Sequence, residues 1–120
     1  MSFLEHLQSV VGQVDGALAC SIMGFDGIAV ETHQVGTDTD LDLASTWVEF
    51  GNVLAQLKNT AEQLKTGSLS EVSVNTEKLT ALMRLVTADY FLVLALKPNG
   101  NYGKGRYALR IAAPKLRAEL

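Results

Sequence analysis

The chain carries one cysteine, two histidines and no lysine or arginine ahead of Lys58, and each scarcity closes off a class of protein. Cys20 alone cannot form an internal disulfide; set in an apolar run it reads as buried and inert, which fits a reducing compartment. His6 and His33, with a lone cysteine and no paired metal-ligand spacing, do not make a zinc site. The longest uninterrupted apolar run, Tyr90 to Leu96, is far too short to span a bilayer, and the N-terminus lacks the basic start and apolar core of a signal peptide. The expectation is a cytoplasmic protein with no membrane insertion. A net charge of −3 supplies no bulk attraction to nucleic acid.

What the chain does have is apolar. Of its 120 residues 48% are hydrophobic and 19% charged, which excludes a disordered chain and suits a single domain, residues 1-120, with some of its surface covered by a partner. The basic residues gather late: Lys97, Lys104, Arg106, Arg110, Lys115 and Arg117 fall in the last quarter. Neutralisation of this end by the acidic first half is the expected arrangement, with a basic docking patch as the alternative.

The strongest periodic signal runs from Asp42 to Thr66 and predicts one long helix. Leu43, Trp47, Phe50, Leu54, Leu57, Ala61 and Leu64 recur at steps of four and three, a single stripe that needs a core. Beside it Ala44, Val48, Gly51 and Ala55 make a second stripe of small or β-branched residues. A helix lying on one sheet needs only the first, so the second predicts contact with another helix, against the alternative of a wide core face. Gly51 favours the contact, because a mid-helix glycine costs roughly 1 kcal/mol against alanine.

Around this helix the other elements follow in order. Ser2 and Glu5 have the spacing of a capping box, and Phe3, Leu4, Leu7, Val10, Val11 and Val14 supply an apolar helical face. Ala17 to Met23 and Ile28 to Thr32 predict a hairpin through Gly24-Phe25-Asp26-Gly27. Asp38, Asp40 and Asp42 precede the long helix; they lack the glutamate and glycine of a calcium loop, and Asp42 suits the N-cap. Gly67 is the expected helix stop. Leu69 to Thr76 alternates like a half-exposed edge strand, and Leu79 to Thr87 and Tyr90 to Lys97 form a second hairpin. Its last strand, apolar on both faces, belongs at the centre of a sheet. Pro98 to Gly105 has the composition of a loop, and Arg106 to Leu120 that of a final helix broken or kinked at Pro114. The sum is an α+β fold in the order α-β-β-α-β-β-β-α: a five-stranded, mostly antiparallel sheet with the long helix on one face and the terminal helices on the other.

Catalytic chemistry is not evident. Gly100-Asn101-Tyr102-Gly103-Lys104-Gly105 lacks both the spacing of a P-loop and the Ser or Thr after its lysine. Ser21 and Ser73 have no base nearby, and Arg84 on an apolar strand is expected to point to solvent or to snorkel rather than to contact a ligand.

In the order of its elements, the Gly24-Phe25-Asp26-Gly27-Ile28 hairpin, the apolar Tyr90 to Leu96 strand and the ending Gly103-Lys104-Gly105-Arg106-Tyr107-Ala108-Leu109-Arg110 through Pro114 and Leu116, the whole chain resembles the Roadblock/LC7 family, bacterial MglB type included. The resemblance implies a non-enzymatic homodimer without a cofactor. Its interface would take Val72, Ser73 and Val74 of the edge strand and the stripe Ala44, Val48, Gly51 and Ala55. It also implies a small Ras-like GTPase as partner, seated on the paired long helices, whose outward face here is Glu49, Asn52, Gln56, Asn59 and Gln63. A GTPase regulator or scaffold is thus the expected function, and a dynein-light-chain-like adaptor the alternative. No arginine on that face offers itself as a finger.

Overall fold

The computed structural model describes residues 1–36 and 40–120; Asp38 of the aspartate run lies outside them. Eight elements follow one another: α1 (Phe3–Gly12), β1 (Ala17–Gly24), β2 (Ala29–Gln34), α2 (Leu43–Gln63), β3 (Glu71–Asn75), β4 (Thr80–Leu85), β5 (Tyr90–Leu96) and α3 (Tyr102–Arg117). The strands form one sheet in the order β2-β1-β5-β4-β3, every pairing antiparallel.

β5 sits at the centre because it is apolar on both faces. Leu92, Leu94 and Leu96 point into a core shared with α1 and α3, where Leu7, Val10, Leu109 and Leu116 meet them. Phe91, Val93 and Ala95 point the other way, into a core closed by Leu43, Trp47 and Leu54 of α2. The chain is therefore three layers, with α2 alone on its face. The capping box forms as the sequence implies: Glu5 N donates to Ser2 Oγ (3.1 Å) and Ser2 N to the Glu5 carboxylate (3.2 Å).

Helix ends depart from expectation in two places. The glycine-rich stretch 102–105 is the first turn of α3, not loop, since Asn101 Oδ1 accepts from Lys104 N (3.1 Å) and caps the helix at Asn101. Gly105 is there for packing: a Cβ would stand 2.8 Å from Leu82 Cδ1. α3 also runs through Pro114 as one helix. Only one turn follows the proline, so its missing N–H costs a single hydrogen bond near an end that frays in any case. α2 stops at Gln63, before the expected Gly67, with Lys65 and Gly67 both at positive φ.

Candidate partner-binding site

Asp42 starts α2 as the sequence predicts. Its carboxylate accepts from Ser45 Oγ (2.8 Å) and Ser45 N (3.2 Å), and these bonds, the side-chain one foremost, hold its carboxyl below the usual carboxylate range. From there the buried line of the helix is Leu43, Trp47, Gly51 and Leu54. Leu57 and Leu64, expected on that line, are 41% and 68% exposed. Leu64 lies past the last residue of α2, and Leu57 falls to one flank of the buried line rather than on it.

Gly51 is buried and faces the sheet. Its missing side chain leaves room for the ring of Phe91 on β5, which a Cβ would approach to 3.0 Å. Ala44 and Val48, the exposed members of the small stripe, line a groove of about 170 Å³ with Ala29, Thr32 and Gln34 of β2. They thus face the sheet edge opposite β3. Ala55 is half-buried.

The flank of α2 on the other side of the buried line carries Phe50, Val53 and Leu57 and so turns toward β3. Phe50 is half-buried, packed into the same core as Val72 and Val74, while Val53 is 51% exposed. Among the described residues β3 pairs with β4 alone, which leaves its outer edge of backbone N–H and C=O groups open. Ser73, also on this edge, points to the opposite face and hydrogen-bonds Tyr102 Oη (3.0 Å). The sequence had hidden this flank by placing Phe50 and Leu57 in the core stripe; Val53, apolar but off that stripe, was the signal that could have exposed it.

Glu49, Asn52, Gln56, Asn59 and Gln63 are all exposed on the outward side of α2. The helix has no arginine, and its Lys58 is half-buried with Nζ 5.7 Å from the Phe25 ring centre. Among the described residues no carboxylate of the acidic first half pairs with the basic C-terminal quarter. Among the described residues, the carboxylate bound to that quarter is Glu71, which holds Arg106 through two nitrogens and Arg84 at 3.3 Å. Arg84 is accordingly half-buried and paired with Glu71.

No family model and no curated protein matches the chain. Among solved structures it is 65% identical to MglC from Myxococcus xanthus over 100% of both chains, with a TM-score of 0.73. In fold alone it is similar to a Roadblock/LC7 domain from Streptomyces avermitilis, at 10% identity and a TM-score of 0.83 over 99% of this chain and 98% of that one. MglB from Myxococcus xanthus is similar in the same sense, at 14% identity and 0.79 over 99% and 97%. With the α-β-β-α-β-β-β-α order, the central β5 and 65% identity to MglC over the full length together, the chain belongs to the Roadblock/LC7 family, among its bacterial MglB-like members.

Proposed function

We propose that the chain is a non-enzymatic homodimeric regulator or scaffold that binds a small Ras-like GTPase. One observation carries the dimer: the open edge of β3 and the exposed apolar flank of α2 border the same corner of the molecule. A two-fold axis there pairs β3 with its mate into one continuous sheet and brings the two α2 flanks together. Val72, Ser73 and Val74 keep their expected place in this interface. On α2, Val53 and Leu57 replace Ala44, Val48, Gly51 and Ala55.

The outward residues Glu49, Asn52, Gln56, Asn59 and Gln63, doubled by the two-fold axis, form a polar platform for the GTPase. Lacking an arginine, this platform acts by repositioning the GTPase's own residues rather than by supplying a finger. The same feature supports a second reading, an adaptor indifferent to nucleotide state, because amides dominate the face and its one formal charge is Glu49.

Binding to the host's Ras-like GTPases, each loaded with a non-hydrolysable GTP analogue and with GDP, separates the two. State-selective binding that is lost on Asn52→Arg and Gln56→Arg supports the regulator, since a partner shifts an equilibrium only through differential affinity. Faster hydrolysis in the same samples makes it an activator. Equal affinity for both states favours the adaptor.

A further inference from the structure

Near the turn from β4 into β5, two adjoining grooves open between α3, the ends of β3 and β4 and, in one of them, the C-terminal half of α2. The larger, about 440 Å³, has Lys58 and Glu62 on one wall and Arg84, Arg110 and Arg117 on the other. Its neighbour, about 380 Å³, shares Ser70, Arg84 and Arg110 and adds Glu71 and Arg106. Five cationic side chains thus face two carboxylates, on a protein whose net charge is −3. So local an excess of positive charge on an acidic chain marks a site for an anionic ligand.

We propose that this joined groove docks an acidic polypeptide segment of a partner protein, with its carboxylates taken by Arg84, Arg110 and Arg117. The arginines are held ready for it. Arg117 Nε donates to the Val86 carbonyl (2.8 Å), which fixes the guanidinium and leaves its terminal nitrogens free. Arg84 is steadied by Glu71 through one nitrogen only, at 3.3 Å. Arg110 makes no hydrogen bond or ion pair among the described residues, although it borders both grooves. Forked guanidinium groups match carboxylates in two-point contacts, and fixing them in advance lowers the ordering cost of binding.

Shape selects a polypeptide from among anions. The larger groove also has an apolar lining, with Leu85, Val86, Ala113 and Pro114, which suits side chains alternating with the acids. The recess keeps a flat bilayer from reaching Arg84, and the overall negative charge opposes a polyanionic nucleic acid at long range. The site stands apart from the outward face of α2 and does not depend on what binds there.

The test is fluorescence anisotropy of a fluorescein-labelled peptide of alternating Glu and Ala, on the wild-type chain and two charge reversals. Arg110→Glu changes a side chain with no partner in the fold, so its thermal midpoint should match wild type while peptide affinity falls about tenfold or more. Lys97→Glu makes the same charge change beside a different groove, at the opposite end of β5, and should leave affinity within about twofold. Absence of peptide binding to wild type, or equal weakening by both variants, overturns the proposal. So does displacement of the peptide by a thymidine oligonucleotide or phosphatidylserine vesicles at lower charge concentration than the peptide itself requires.

Discussion

A side chain on Gly51 would begin 3.0 Å from Cζ of Phe91 and 3.2 Å from its Cε1. The ring cannot easily retreat: it is 1% exposed and lies 5.0 Å, centre to centre, from Phe25. Two effects then oppose each other in Gly51→Ala. Helix propensity contributes about 1 kcal/mol of stability, and overpacking a closed core costs about 1–3 kcal/mol. Overpacking should win, for a net loss of about 1 kcal/mol in urea unfolding. A gain instead would mean that Phe91 shifts freely. Gly51→Leu should lower stability far more, so no substitution at this position can report cleanly on dimerisation.

The two flanks of α2 can be set against each other instead. Val53 and Leu57 are half-exposed on the protomer, so Val53→Asp and Leu57→Asp should fold, and in the proposed dimer each places two carboxylates at the two-fold contact. Light scattering should then give a monomer mass. Val48→Asp, on the flank facing β2, should leave the dimer whole. The reverse pattern would restore the small stripe as the interface.

This contrast shows where the sequence was readable. Strand order followed from hydropathy, because a run apolar on both faces such as Tyr90 to Leu96 has only the sheet centre to occupy. Helix α2 was equally plain, but periodicity locates a stripe without saying how wide the sheet beneath it is. The small residues beside Trp47 could therefore be placed only once β2 was known to lie under them. Gly105 misled for a related reason: a glycine demanded by Leu82 on another element looks, in sequence, like one demanded by a turn. The Arg84–Glu71–Arg106 cluster was invisible, since nothing local joins β3, β4 and α3.

Acid should weaken the start of α2 through Asp42. Its folded carboxyl titrates below its unfolded value because Ser45 hydrogen-bonds the charged form. A depressed folded value means the stabilisation is complete above the unfolded pKa of about 3.9 and is lost as pH falls through the folded one. Asp42→Asn keeps a capping oxygen but does not titrate. The stability difference between wild type and Asp42→Asn should thus be constant at neutral pH and shrink toward zero below about pH 4. A difference independent of pH would show that the cap acts through shape alone.

Cys20 provides a reporter of the whole sheet. It lies on β1 opposite His33 of β2 and Leu94 of β5, is 0% exposed, and faces the core under α1 and α3. Burial pushes its thiol up to about 12, well above its ordinary value. Alkylation requires the thiolate and access to it, and the native fold denies both. Iodoacetamide at about pH 8 should therefore leave the folded chain unmodified over the time in which an unfolded control reacts fully. Residual labelling should rise with urea in step with the loss of circular dichroism, because β1 is paired on both sides and cannot open alone. Labelling that runs ahead of global unfolding would mean that β2 peels from β1 first, leaving β1 as the new edge of the sheet.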